Sequence, residues 1–370
     1  MRISELEIRC CQHTVEALRE DAMRSADHQQ GLEFLVVTLR TDGGLEASSF
    51  GFAGRSARGS GELAAAAMRP FLVGKHALHR EQIWQAWRTE DRWWNHLPIY
   101  SYGPFDIALW LLGAQAADQP LYRYIGAARD HVPVYASSLV LPDAAAYAAE
   151  AQNIRAKGYA AYKIHPPGRS FEEDLEVHRA VRAAVGPDFR LMSDPVGCLN
   201  LEQAVRLGRE LERLDYYWIE EPFHDENYHA LRELTRILDL PVVGTEVIAK
   251  HPYTVAECIA TRVVDRVRAD VSWTGGVTGV MKTATLAEAF GVNCEIHTSI
   301  LHPLELVNLH CCAAIANCDF FELLTPEASF DFGLQQPIDI RDGVAHLPQG
   351  PGLGIEFDWD LIDNATTAIL

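Results

Sequence analysis

From residue 132 to residue 324 the chain repeats one unit: a short apolar segment rich in β-formers, a polar turn, then a stretch with helical periodicity. The strand segments are VPVYAS (132–137), YAAYKIH (159–165), FRLMSDP (189–195), YYWIEEP (216–222), PVVGTE (241–246), RVRADVS (266–272), GVNCEIH (291–297) and CDFFELL (318–324). Between them lie sequences such as DAAAYAAEAQNIRAKG and LEQAVRLGRELERL, the second with Leu201, Val205, Leu207 and Leu211 on one face. Eight strands alternating with helices predict an α/β fold in which the parallel sheet closes into a TIM-type barrel. Such a barrel takes roughly 250 residues, so a chain of 370 has room for a smaller second domain.

The first 130 residues supply it. EFLVVTLRTDGGLEASSF predicts a hairpin around Asp42-Gly43-Gly44, followed by helical sequence from Ser60 to about Ala86 and from Tyr102 to Tyr124. The tail from Gln335 is turn-rich and is expected to return to this α+β domain. The expected division is therefore 1–130, a barrel over 131–325, and a returning segment over 326–370.

Each barrel strand ends in a polar residue although its composition is otherwise apolar: Lys163 and His165, then Asp194, Glu220, Glu246, Asp270, His297 and Glu322. From Asp194 onward the intervals are 26, 26, 24, 27 and 25 residues, one β/α unit each time. The carboxyl ends of all strands of such a barrel face one mouth, where the active sites of this fold lie. A single strand-end carboxylate is ordinarily a helix cap or a solvated loop residue; a polar residue at the same end of seven consecutive strands is not explained that way.

Asp194, Glu220 and Glu246 would repel one another unless a hard cation lay between them, and an all-oxygen ligand set suits Mg²⁺. Asp270 and His297 are placed to form a carboxylate–imidazole pair on one flank. Lys163 and His165, two apart on one face of a strand, lie on the other and need negative charge opposite them. A cation flanked by bases fits abstraction of a proton beside a carboxylate, and Glu322, if protonated, would donate a hydrogen bond to the resulting enediolate.

Composition removes other classes. With 51 acidic against 32 basic residues the formal charge is −19, which argues against nucleic acid or an anionic membrane as partner. No run of about 18 apolar residues occurs. The eight cysteines include two adjacent pairs and no C-x-x-C spacing, which predicts reduced thiols and a cytoplasmic location.

The order SDP, WIEEP, GTE, RADVSWTGGVTG, EIH and FEL resembles the enolase superfamily, in particular its mandelate racemase-like subgroup. The resemblance implies a modified (β/α)7β barrel under an α+β capping domain. It implies Asp194, Glu220 and Glu246 as Mg²⁺ ligands, Asp270 and His297 as the catalytic dyad, and Glu322 as the group that stabilises the intermediate. It also implies a homo-oligomer, and substrate-covering loops within residues 20–30 and 48–58. Racemases of the subgroup end the second barrel strand in Lys-x-Lys, whereas this chain has Lys163-Ile164-His165. A histidine there has a reference pKa of about 6.5 against about 10.4 for lysine and is more often neutral, which leaves Lys163 as an electrostatic contact to the substrate carboxylate.

The expectation is a Mg²⁺-dependent sugar acid dehydratase that forms a 2-keto-3-deoxy acid. The alternatives are a racemase or epimerase, a lactone or anhydro-sugar cycloisomerase working through the same intermediate, and a non-catalytic binding protein of the same fold. His28, Trp93, Trp94, Trp273 and His302 are candidates to line the mouth, although aromatic residues at a barrel rim are more often packing residues.

Overall fold

The structure, a computed structural model, describes residues 1–15, 31–224, 226–247 and 251–370. The amino-terminal hairpin forms: β2 (Leu32–Thr41) and β3 (Glu46–Phe52) pair antiparallel, and β1 (Ile3–His13) pairs with β2. Gly44 turns the chain at φ +81°, a conformation open to glycine and costly for other residues. A last strand, Thr366–Ile369, pairs with β1 and completes a four-stranded sheet.

The helical sequence expected over 60–86 is two helices, α1 (Ala57–Leu72) and α2 (Arg80–Glu90). The break has a cause in hydrogen bonding. Gly74, at φ +88°, donates to the Ile3 carbonyl, and Ile3 N donates to the Lys75 carbonyl, so this backbone is committed to the edge of β1. Within the expected span 48–58 the loop is residues 53–56: residues through Phe52 belong to β3, because they ladder onto β2, and α1 begins at Ala57.

Helix α3 (Ile99–Ala116) is buried over most of its circumference and joins the two domains, with β2 and β3 on one side and the barrel helix Gly276–Ala289 on the other. At Gly103 a Cβ would stand 2.7 Å from the Val271 carbonyl oxygen, so a side chain there would push the helix off the barrel. The barrel helix has Gly275 at its N-cap and no cap from its own side chain. Asp106 of α3 supplies it from the other domain: Oδ2 accepts from Thr278 N at 2.8 Å and Oδ1 from Thr278 Oγ1 at 2.6 Å.

The eight expected strands form: β4 (His131–Ser137), β5 (Ala161–Ile164), β6 (Arg190–Ser193), β7 (Trp218–Glu220), β8 (Val242–Gly244), β9 (Arg266–Ala269), β10 (Cys294–Ile296) and β11 (Phe321–Leu324). Consecutive strands from β4 to β10 pair in parallel, and β11 returns to pair with β4. Between β10 and β11 the Cys294 N to Asn317 O bond, 2.7 Å, carries the closure. Helices follow each of the first seven strands, and β11 is followed by the short turn Glu327–Ser329, which is the (β/α)7β pattern. A hairpin, Ile340–Arg341 with Val344–His346, then pairs with the start of β4 before the tail returns to the sheet.

The barrel floor is apolar, filled by Tyr135, Ala161, Met192, Trp218, Val243 and Phe320. Side chains alternate along a strand, so the residue two places on points into the same interior one layer higher. Lys163 stands above Ala161, Asp194 above Met192, Glu220 above Trp218 and Glu322 above Phe320. The layer nearest the mouth is therefore polar.

The interdomain cap should report on pH. Burial pushes the Asp106 carboxyl up to about 7, against the hydrogen bonds from Thr278. An acid whose folded pKa lies above its unfolded value binds its proton more tightly when folded, so its stabilisation is complete below about pH 4 and is lost as pH rises toward 7. Asp106→Asn, which cannot ionise, should gain stability relative to the parent across that window, by up to roughly 4 kcal/mol. Denaturant unfolding near both ends of the window measures this; a difference that does not change with pH would refute it.

Candidate active site

Lys163, at the end of β5, is fully buried, and its ammonium answers to three carboxylates. It hydrogen-bonds Asp194 Oδ2 at 3.0 Å and Glu220 Oε2 at 3.2 Å, and stands 2.8 Å from Glu322 Oε1, off the alignment of a hydrogen bond. A second buried cation, Arg268 of β9, grips Glu220 in bidentate fashion, Nε to Oε1 and Nη2 to Oε2 at 2.6 Å each, and reaches Tyr135 Oη at 2.9 Å and Glu322 Oε2 at 3.4 Å. The sequence reading missed Arg268. Its signal was there: in RVRAD it lies two residues before Asp270, on the inward face of a strand that is otherwise buried.

These contacts correct two expected roles. Lys163 faces the carboxylates of the proposed metal site rather than the pocket; burial opposes its charge, but Glu220, Glu322 and Asp194 outweigh burial and hold it above the ordinary lysine range. For Glu322, whose expected role needs a proton, the surroundings favour the anion. Burial alone would raise its pKa, but Lys163 and Arg268 pull it well below the usual carboxylate value, and its Oε2 accepts from Thr298 N.

His165 donates from Nδ1 to the Ser138 carbonyl at 2.5 Å, which leaves Nε2 facing Asp194 Oδ2 at 3.2 Å. A neutral ring in that tautomer would set a lone pair against a carboxylate, so the contact favours the imidazolium. Burial lowers its pKa, Asp194 overrides burial, and the net shift is upward, contrary to the neutral ring expected from the reference value. Asp194 is correspondingly held low, against burial, by Lys163 and His165.

His297 ends β10. Its Nδ1 stands 3.6 Å from Asp270 Oδ2, and its Nε2 stands 3.3 Å from Glu246 Oε2. Asp270 Oδ1 accepts from Ser272 N and Trp273 N at 2.7 Å each and from Ser299 Oγ at 3.3 Å. That clamp turns Oδ2 toward the ring. Neither Oδ2 nor Nδ1 has another hydrogen-bond partner, so each is the other's nearest complement, at a distance typical of a catalytic pair before substrate tightens it.

Behind the dyad lies a second group the sequence reading missed. Glu305 accepts from Thr298 Oγ1 and Ser299 N, and Asn308 Nδ2 donates to the His297 carbonyl at 3.0 Å. Both lie on one face of the helix His302–Ala314, three residues apart, in otherwise apolar sequence. Burial pushes Glu305 up to about 8; the helix thereby fixes the loop that carries His297.

Among the described residues no three acidic, histidine or cysteine side chains stand in metal-ligating geometry. The donor chemistry nevertheless fits a hard cation. Asp194, Glu220, Glu221, Glu246, Asp270 and Glu322 face two permanent cations, and the surplus falls on Glu246, raised well above the carboxylate range by burial and by Glu221, Glu220 and Asp194. Asp194, Glu220 and Glu246 offer only oxygen.

Above this layer opens a cavity of about 310 Å³, lined by Ser138, His165, Glu246, His297 and Thr298 at its polar end and by apolar side chains elsewhere. Of the residues expected at the mouth, Trp273 lines it, stacked on Phe52 of the smaller domain at 5.4 Å. Trp93 and Trp94 are not among its described lining; they are 61% and 80% exposed on the helical turn Asp91–Asn95. His302 is buried at the start of its helix, 3.4 Å from Asp331. His28 and the expected loop at 20–30 lie outside the described residues.

Comparison with known proteins agrees with this architecture. The family described as enolase C-terminal domain-like matches residues 146–361. The arabinonate dehydratase of Saccharolobus solfataricus is 30% identical over 299 residues, 78% of this chain and 78% of that protein. The 3,6-anhydro-alpha-L-galactonate cycloisomerase of Streptomyces coelicolor is 27% identical over 364 residues, covering 94% and 98%. The structure of D-glucarate dehydratase from Agrobacterium tumefaciens complexed with magnesium superposes with a TM-score of 0.87 at 31% identity, over 100% of both chains. With a closed (β/α)7β barrel, a smaller domain over its mouth and this likeness in sequence and structure, the chain belongs to the enolase superfamily, in its mandelate racemase-like branch.

Proposed function

We propose that the protein is a Mg²⁺-dependent sugar acid dehydratase, which removes the proton beside a carboxylate and expels the 3-hydroxyl to leave a 2-keto-3-deoxy acid. The observation that carries the reading is the asymmetry of the two pocket imidazoles. His165 spends Nδ1 on the Ser138 carbonyl and sets Nε2 against Asp194, whereas His297, with Nε2 3.3 Å from Glu246 Oε2, has Nδ1 facing a clamped carboxylate. An imidazole backed by a carboxylate can accept a proton and return it, as elimination requires. The relatives support it, since arabinonate, D-gluconate and D-glucarate dehydratases are among them.

Asp194, Glu220 and Glu246 would hold the cation. When bound, a divalent cation there supplies positive charge against the second negative charge that develops on the substrate carboxyl as the C2 proton leaves. His297 takes that proton. His297 then protonates the 3-hydroxyl as the C3–O bond breaks, and water departs. The resulting enol tautomerises to the 2-keto acid. Asp270, 3.6 Å from Nδ1, orients the His297 ring through both steps. The cycloisomerase reading uses the same dyad with an internal oxygen as leaving group, and cycloisomerases are also among the relatives. We further assign the enzyme to the cytoplasm as a homo-oligomer; all eight cysteines are free thiols, and family likeness supports assembly.

A ¹H NMR screen of hexonates, pentonates, aldarates and lactones in D₂O with Mg²⁺ should show a new 3-deoxy methylene signal. Loss of the C2 proton signal without dehydration would replace this reading with the isomerase one. His297→Asn should cut turnover by at least about 10²-fold with the circular dichroism spectrum unchanged; retained turnover would remove His297 from the mechanism. Mg²⁺ at about 100 times its dissociation constant should stabilise the parent by about 2.7 kcal/mol. Thermal melts of Glu246→Gln should show little of that gain, and an equal gain would exclude Glu246 as a ligand.

A further inference from the structure

Strand β8 leaves the sheet just before Glu246. Its parallel pairing with β9 runs through Val243 with Arg266 and Gly244 with Val267 and stops there. In a regular parallel ladder the next rung would carry Glu246 N to the Arg268 carbonyl. Instead Glu246 N donates to Glu221 Oε1 at 2.8 Å, and the Arg268 carbonyl accepts from Thr245 Oγ1 at 3.1 Å. The same hydroxyl oxygen accepts from Arg268 N at 3.0 Å. Two side chains thus stand in for one rung of main chain.

Thr245 makes these bonds at a backbone cost. Its φ is +78°, a region that β-branched residues enter with strain and glycine enters freely. Such strain persists where the surrounding structure imposes it, and it collects at ligand sites. Thr245 and Arg268 are both buried, so bulk water does not replace the hydroxyl on the Arg268 main chain. A glycine would relax the backbone and lose that partner; the threonine keeps the partner and bears the strain.

The departure from the ladder frees Glu246 to face the mouth, where it lines the cavity and stands 3.3 Å from His297 Nε2. Arg268 therefore serves two of the proposed metal ligands by different means. Its guanidinium grips the Glu220 carboxylate, and its main chain holds the residue that precedes Glu246. We propose that Thr245 is a positioning residue of the metal site: its hydroxyl, bridging the N–H and carbonyl of Arg268, fixes where Glu246 stands relative to Glu220 and thereby sets the affinity for Mg²⁺. The inference rests on the metal assignment made above and deepens it.

The test is a calorimetric titration of the parent and three variants with Mg²⁺ alone, in the absence of substrate. Thr245→Val keeps the shape of the side chain and loses both hydrogen bonds. Thr245→Gly loses them too but relieves the backbone, so it decides the matter if the valine variant does not fold. Thr245→Ser keeps the hydroxyl. Groups behind a metal ligand are worth about 10- to 100-fold in metal affinity, so the dissociation constant should rise by at least about 10-fold in the valine and glycine variants and stay within about threefold of the parent in the serine one. A loss of global stability alone does not move the dissociation constant of the folded protein, which separates positioning from a merely structural role. A folded Thr245→Val or Thr245→Gly that binds Mg²⁺ as tightly as the parent would overturn the inference, and so would a serine variant as weak as the valine one. Either result leaves the metal assignment standing. A parent that binds no Mg²⁺ would overturn that assignment, and this inference with it.

Discussion

The buried ion network of Lys163 and Arg268 with Asp194, Glu220 and Glu322 is the constraint around which the barrel is organised. Its members come from five different strands, so it can form only when the sheet has closed and the strands stand in register. Charges taken from water this completely are costly unless each finds a partner. Here each does: Glu220 is held by Arg268, Lys163 and the Trp218 indole N–H, and the Arg268 guanidinium also reaches the Tyr135 hydroxyl. Removing one partner would leave the others charged and uncompensated, which makes the network a specification of the fold as much as a part of the site.

The network also divides the interior into layers with different tasks. Below it, Trp218, Tyr135 and Phe320 pack edge to face, with ring centroids 5.8 and 6.1 Å from Tyr135, and exclude water from the floor. Above it, His165, Glu246 and His297 keep part of their surface open to the cavity. The cations therefore set the field of the site from beneath, and the polar groups left facing the cavity above include the imidazoles and Glu246. Behind His297, Glu305 and Asn308 anchor the loop backbone, so the dyad is positioned from a helix rather than by the flexibility of a loop.

The smaller domain completes the mouth because its attachment is specific. Helix α3 lies close enough for Gly103 to meet the Val271 carbonyl, Asp106 caps a barrel helix that lacks a cap of its own, and Phe52 stacks on Trp273. These contacts all converge on the segment 271–278, immediately after Asp270. The domain is thus fastened to the strand end that carries half of the dyad, and the apolar wall at Trp273 is shared between the two domains.

The sequence by itself determined the barrel, since apolar strands alternating with helical periods at an interval near 25 residues admit few other folds, and strand-end polarity located the site because every strand end of a barrel faces one mouth. Alternation also put Lys163 and His165 on one face. Residues whose meaning depends on partners far along the chain were not legible in this way: Arg268 against Glu220, Asp106 against Thr278, Glu305 against the loop after His297. Likewise, charge depends on what surrounds a group and not only on its type, so only the tertiary structure set Glu322 beside Lys163 and Arg268, His165 against Asp194 and the Lys163 ammonium among three carboxylates. Local pattern records which face a side chain takes; which charge waits on that face is decided when the strands close.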